Sequence, residues 1–230
     1  MCFSEQQSII NFIALFSYSL FLNTQSSDSD IWRLYIPLYF LSIKDLLQAG
    51  LYQFDANHDY KHILSILSFV HICFQPLMVN IVFSYFSKDT TFLGVNYWNI
   101  IFLITFLYGC YELTNLDVFN IQRNASFCKD STSDFCSDED SSYIGKYHVA
   151  YKFKTINNYD IVLMLLMILP ALLTSSWFLS LLWLFFIIGI MYVFKDTRNG
   201  ESGAIWCLLS IAFFIPVAYF RDSIMKLTRA

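Results

Sequence analysis

Residues 31–54 read IWRLYIPLYFLSIKDLLQAGLYQF, an apolar run with Lys44 and Asp45 near its middle. At a rise of 1.5 Å per residue, about 20 such residues cross the hydrocarbon core of a bilayer. A charge at the centre of a spanning helix costs about 2.5–3.5 kcal/mol on insertion scales, so a charged side chain there turns toward a partner or a watery cavity. Lys44 and Asp45 therefore make a demand on the rest of the chain, which must bring polar groups to their depth. Adjacent residues project about 100° apart on a helix, so the two do not face each other and each needs a partner from elsewhere.

Composition agrees with a lipid-facing surface. Hydrophobic residues make up 57% of the 230, aromatic residues 19% and charged residues only 14%, where an ordinary soluble domain carries about 25% charged. Apolar runs recur at residues 8–23, 31–54, 62–86, 96–113, 160–176, 177–194 and 203–220. They are too frequent to be the buried helices of one soluble core. They predict an all-α, polytopic integral membrane protein, a bundle of about seven transmembrane helices forming one domain over residues 1–230. A long extramembrane loop is expected at about residues 114–159. The first run has no basic flank and no A-x-A-like cleavage site, and reads as a retained helix. The net charge of -4, without a basic stripe, excludes nucleic acid as a partner. The implied partners are the lipid bilayer and a small-molecule or lipid ligand.

Pro37, Pro76, Pro170 and Pro216 each fall inside a run. Each removes an N–H and should free a carbonyl for a neighbour or a ligand, or simply bend the helix to shape the bundle. No internal repeat is evident, so a duplicated transporter architecture is not expected. In the short loops Lys61, Lys195 and Arg198 lie on the side of the N-terminus and Arg33, Lys88, Arg221, Lys226 and Arg229 on the other. The excess places the C-terminus in the cytoplasm and the N-terminus and long loop outside it. The loop carries Cys128 and Cys136, spaced for a small disulfide-closed turn or left as thiols. It also carries the acceptor pattern Asn124-Ala125-Ser126 and the acidic cluster Asp138-Glu139-Asp140.

Reckoned from their shared surface, Lys44 and His71 both lie about 14 Å deep. Ser68, His71 and Gln75 recur at helical spacing in the third run, Asp45 and Gln48 lie one turn apart beside Lys44 in the second, and Thr105, Tyr108 and Glu112 follow suit in the fourth. Gln7 and Asn11 come from the first. Lipid satisfies none of these groups, so the stripes must turn inward and pair, either to lock the bundle or to form a pocket. His71 is expected to find a polar partner in the second run, with Lys44, Asp45 and Gln48 as candidates. Lys44, Gln48, Ser68, Gln75 and Tyr108 are the ligand-binding candidates. In an enzyme, His71 or His148 would be acid or base, oriented by Asp45 or Glu112. Cys2 and Cys207, expected at one surface, would be thiols or a bridge. No G-x-S-x-G, H-E-x-x-H or C-x-x-C fixes a catalytic role. No metal site is expected, the weak alternative being His58, His62 and His148, and the sequence leaves any cofactor unknown.

Met1-Cys2-Phe3-Ser4, Gln75-Pro76, Gly145 with His148 and Tyr151, Pro170, and Gly203 with Trp206-Cys207 together form a further pattern. It resembles an uncharacterised family of small polytopic membrane proteins whose chains begin Met-Cys-Trp-Ser and carry a Gln-Pro in the third span. That family also has a Gly-x-x-His-like stretch before the fifth span and a Trp-Cys at the start of the last. Phe3 and Tyr151 stand here where tryptophan is expected. The resemblance implies no activity; it singles out Cys2, Gln75, His148 and Cys207 as positions to test.

The sequence favours binding or processing of a small or lipidic ligand in a polar intramembrane pocket open to one side. Its polar groups stop near mid-membrane, and residues 160–176 and 177–194 offer almost none beyond. The alternatives are a small-solute or proton-coupled transporter, and a structural or receptor-like membrane subunit without catalysis. A retinal-type receptor is not expected, because residues 203–220 hold no lysine.

Overall fold

The computed structural model describes residues 4–25, 27–54, 58–87, 91–92, 95–114, 142–144, 149–151, 162, 165–168, 171–172, 174, 176–193 and 212–229. Several helices start where a short polar side chain satisfies an otherwise unpaired amide. Helix α1 (Glu5–Gln25) follows Ser4, whose Oγ accepts the Gln7 N–H at 3.3 Å. Helix α2 (Trp32–Gln53) has no side-chain cap. Its approach is held instead by the Asp30 N–H donating to Asp28 Oδ1 at 2.9 Å and by an Arg33–Asp30 ion pair at 3.4 Å. After α3 (His58–Tyr85) come the short strands β1 (Thr91–Phe92) and β2 (Val95–Asn96), antiparallel with Phe92 opposite Val95. Asn96 then caps α4 (Tyr97–Thr114), its Oδ1 accepting the Trp98 N–H at 2.9 Å. Strands β3 (Ser142–Ile144) and β4 (Val149–Tyr151) pair antiparallel, with Tyr143 opposite Ala150. Ser176 caps α5 (Trp177–Val193), and residues 212–219 form a helix that turns at Phe220 into α6 (Arg221–Arg229).

The fold is therefore helical, as expected, with two small hairpins that the hydropathy pattern does not indicate. Strands of two or three residues are too short to show an alternation. The expected runs 8–23, 31–54, 62–86 and 96–113 coincide with α1–α4 to within about a turn. Run 177–194 coincides with α5, while runs 160–176 and 203–220 are described only in part. Among the described residues one helix, Tyr60–Tyr85, is long and apolar enough to cross a membrane, and Trp177–Gly189 is a shorter apolar helix. Arg33, Lys44, Asp45 and Gln48 lower the hydropathy of α2.

Short connections run the first four helices antiparallel. Phe16 of α1 packs on Tyr39 of α2 with ring centroids 5.3 Å apart. Along α2 and α3, Gly50 meets Leu64, Phe40 meets His71, and Arg33 donates to the Ser84 carbonyl. Phe74 of α3 packs on Phe106 of α4. The start of α1, the end of α2, the start of α3 and the end of α4 thus share one end of the bundle. Strand β3 packs on α3 and β4 on α2. At the other end the Tyr85 hydroxyl donates to Asp28 at 2.8 Å. Helices α3 and α4 approach closely at Gly109, where an added Cβ would stand 2.9 Å from the Cys73 carbonyl oxygen.

The second half is tied to α3 through a main-chain carbonyl. Pro170 has no N–H to offer Leu166, and the Leu166 carbonyl accepts Asn80 Nδ2 at 3.0 Å. One residue on, the Met167 carbonyl accepts the Trp183 indole N–H at 3.2 Å. Trp183 is buried among Phe83, Phe186, Phe213 and Phe214.

Beside an apolar core that includes Leu15, Leu38, Leu41 and Phe69, the helices bury polar residues and expose large apolar ones. Ser8 and Ser19 of α1, Lys44, Asp45 and Gln48 of α2, Ser68, His71 and Gln75 of α3, and Thr105 and Glu112 of α4 face inward. Ile10, Ile13 and Phe21, Ile43 and Leu46, Ile63 and Leu67, and Leu103, Phe106 and Leu107 face outward from the same helices.

Candidate functional site

The inward polar residues of α2 and α3 meet at one level. In the register that sets Gly50 against Leu64 and Phe40 against His71, Ser68 lies level with Lys44, Asp45 and Gln48. Helix α1 brings Asn11 to the same level, where its side chain hydrogen-bonds Asp45. The Gln7 amide donates to Asn11 Oδ1 at 2.9 Å, which leaves the Asn11 amide for the carboxylate.

His71 is held by a single residue in two ways. Its ring stacks on Phe40 with centroids 3.9 Å apart and planes 14° from parallel. Its Nε2–H donates to the Phe40 carbonyl at 2.7 Å. A carbonyl only accepts, so the ring proton of the neutral imidazole sits on Nε2 and Nδ1 carries a lone pair. Nδ1 is buried and has no hydrogen-bond partner among the described residues. A polar group of the second run thus reaches His71, as expected, but it is not one of the three candidate side chains. The partner is main chain, one turn before Lys44, because stacking on Phe40 carries the ring edge to that carbonyl.

Beside His71 on the facing sides of α2 and α3, Asp45 Oδ2, both Gln48 Nε2 and Oε1, and Ser68 Oγ are likewise buried and unpartnered among the described residues. Gln48 and Ser68 are 0% exposed, so water does not reach them from the surface. Lys44, also 0% exposed, lies close enough to Asp45 and His71 to act on both electrostatically. Gln75 is buried one turn further along α3. The set offers acceptors at His71, Asp45 and Gln48, donors at Gln48, and a hydroxyl at Ser68 that does either. An unpaired buried polar group costs about 1–3 kcal/mol, so a molecule that pairs with several of them gains correspondingly.

Helix α4 contributes less than its spacing suggests. The Tyr108 hydroxyl donates to Glu112, and Thr105 Oγ1 donates to the Ile101 carbonyl of its own helix at 2.9 Å. Glu112 acts on Cys73. Cys73 follows His71 by two residues, about 200° around α3. Glu112 therefore shares the depth of His71 but lies on the opposite face of α3, and it does not orient that imidazole.

His148, Cys2 and Cys207 lie outside the described residues, as do Cys128, Cys136 and the side chain of His58. Strands β3 and β4, which flank His148 in sequence, pack on the two helices that carry the polar set. His62 is half-buried, with Nδ1 unpartnered among the described residues. No three His, Cys, Asp or Glu side chains gather to hold a metal among the described residues. Cys73 and Cys110 are free thiols. Two residues that matter here were missed from the sequence: Phe40 is an ordinary aromatic one turn from Lys44 with no signal, whereas Asn80, a polar residue inside the apolar run PLMVNIVF, carries one.

A family of unknown function, DUF5765, matches over residues 20–225, and the chain belongs to it. The match begins beyond Met1-Cys2-Phe3-Ser4. No curated protein and no solved structure matches the chain.

Proposed function

We propose that the chain is a multi-pass integral membrane protein that binds or processes a small or lipidic ligand at the polar face between α2 and α3. The observation that carries this reading is the burial of charged and amide side chains behind an apolar exposed surface. The same helices that sequester lysine, aspartate, glutamine and histidine present isoleucine, leucine and phenylalanine outward. That arrangement is unfavourable in water and favourable in hydrocarbon, where buried polar groups pair with one another and apolar side chains meet lipid. About seven spans, with the N-terminus and long loop on one side and the C-terminus on the other, fit the alternating helix directions. The ligand reading rests on the unpaired atoms of Asp45, Gln48, Ser68 and His71. A group bearing both hydroxyl or amine donors and an acceptor satisfies them, which suits the polar end of an amphiphile.

Binding from one side is favoured over a through-going path by the fate of the hydroxyls toward the other end. There those of Ser19, Ser84, Thr174 and Ser180 donate to main-chain carbonyls, and the buried atoms unpartnered among the described residues are the scattered Arg33 Nε, Asn80 Oδ1 and Trp98 Nε1. Two experiments test the reading. Alkaline carbonate extraction of expressing cells should leave the chain in the membrane pellet; release into the supernatant refutes the membrane assignment. Melting of the solubilised protein should rise with at least one amphiphile from a panel of fatty alcohols, monoacylglycerols, sphingoid bases and sterols. The rise should vanish in Gln48→Leu. A panel without effect on the wild type, or a shift that Gln48→Leu retains, removes the ligand reading.

A further inference from the structure

At the end of the bundle away from the polar set, α5, the helix over residues 212–219 and α6 surround a groove of about 630 Å³. Arg221 lies near Tyr18 and Tyr85, which fixes this end as the one where α1 and α3 finish. The volume lies within the range of about 300–1,000 Å³ common to small-molecule sites. Its lining is apolar, from Phe178 and Phe185 of α5 to Phe213, Ile224 and Leu227, with Ser223 the one hydroxyl among the described residues. Phe220, Ser223, Ile224 and Leu227 recur at the spacing of one helical face, so α6 turns that face to the groove. The rest of α6 carries Arg221, Lys226 and Arg229 against Asp222, a net charge of +2 from three cations and one anion. Lys226 is exposed. A short helix with an apolar face toward a groove and a cationic remainder has the pattern of one lying in a membrane interface.

We infer that this groove binds an acyl chain of an anionic phospholipid, with α6 as its rim and Lys226 facing the headgroup phosphate. The inference rests on the membrane reading above. The groove asks for an apolar occupant, and the cationic side of α6 asks for a negative charge at its end. One molecule supplies both. Phe185 is 70% exposed and Leu227 59%, so the wall is open to a chain entering from the bilayer. The cations select among headgroups, since each lysine near an anionic surface raises affinity about fivefold.

The full-length protein is reconstituted into nanodiscs of phosphatidylcholine with a minor fraction of phosphatidylglycerol, then released for native mass spectrometry. The wild type should retain phosphatidylglycerol in preference to phosphatidylcholine. Lys226→Gln should lower that preference about fivefold. Ala212→Trp, which projects an indole into the groove, should abolish retention of both lipids; Leu182→Trp carries the same test if the first variant does not incorporate. Equal retention of the two lipids, retention unchanged by the groove-filling variants, or a second copy of the chain in place of lipid overturns the inference while incorporation leaves the membrane reading standing. A wild type that does not enter nanodiscs overturns both.

Discussion

Gly109→Ala should separate α3 from α4 and destabilise the bundle, and the size of the effect can be worked from three glycines. At Gly109 a Cβ would stand 2.9 Å from the Cys73 carbonyl oxygen and equally near two carbons of the Phe74 ring. A backbone carbonyl cannot swing aside, so the helices must part by a few tenths of an ångström. Such overpacking costs about 1–3 kcal/mol. Replacing a helical glycine also gains about 1 kcal/mol of helix propensity. Gly189→Ala isolates that gain, because nothing lies within 4 Å of its added Cβ. The difference between the two variants cancels propensity, and Gly109→Ala should unfold with about 1–3 kcal/mol less stability than Gly189→Ala. Gly50→Ala belongs between them: its Cβ would meet Leu64 Cδ1 at 3.1 Å, the tip of a flexible side chain. Denaturant unfolding of the three variants and the wild type, followed by far-UV circular dichroism in one detergent, measures the series. If Gly109→Ala proves as stable as Gly189→Ala, the close approach of α3 and α4 at Cys73 is wrong, and with it the placing of Glu112.

The same unfolding assay checks three further expectations. Asn80→Leu should cost about 1–3 kcal/mol by stripping the Leu166 carbonyl of a donor that Pro170 cannot replace; an unchanged midpoint would mean that α3 does not hold that carbonyl. His71→Phe should keep the stack on Phe40 and lose the hydrogen bond, for about 0.5–1.5 kcal/mol. His71→Ala should lose a further 0.5–1.5 kcal/mol, roughly the worth of the aromatic pair, and equal losses in the two variants would remove the stacking account. Ser180→Ala should cost less than about 1 kcal/mol, because Thr174 Oγ1 also donates to the Ala171 carbonyl, at 3.0 Å.

Much of the helical frame was legible because its signals are local. Ser4, Asn96 and Ser176 stand at helix starts where a side-chain oxygen satisfies an amide, and each is a residue type suited to that task. The depth expected to be common to Lys44 and His71 was legible only to within about a turn, His71 standing against Phe40, since antiparallel neighbours joined by short connections have little freedom of register. The angular placing of Glu112 was not. Depth along a helix comes from counting residues, but the face presented to a given neighbour depends on which helix packs where. That is decided by contacts such as Gly109 on Cys73. The partner of His71 was hidden for another reason: every residue has a carbonyl, so nothing in the letter at position 40 marks it as an acceptor.

Polar residues inside an apolar helix fall into two kinds, and reach separates them. A serine or threonine can return its hydroxyl to a carbonyl of the preceding turn and ask nothing of its neighbours. Ser19, Ser42, Ser65, Ser84 and Thr105 all do so. Ser68 is the one buried serine of α3 that does not, although a turn of its side chain would bring the same option within reach. Its unpaired state is thus the weakest mark of a site. Aspartate, glutamine and histidine carry their polar atoms beyond their own helix, and no rotation returns both ends of a glutamine amide to nearby main chain. Gln48, completely buried with donor and acceptor both unpartnered among the described residues, is consequently the hardest of the set to explain by bundle packing alone. An interhelical lock would place a partner against at least one end of that amide. With neither end met, the amide is the group through which a bound molecule has most to gain.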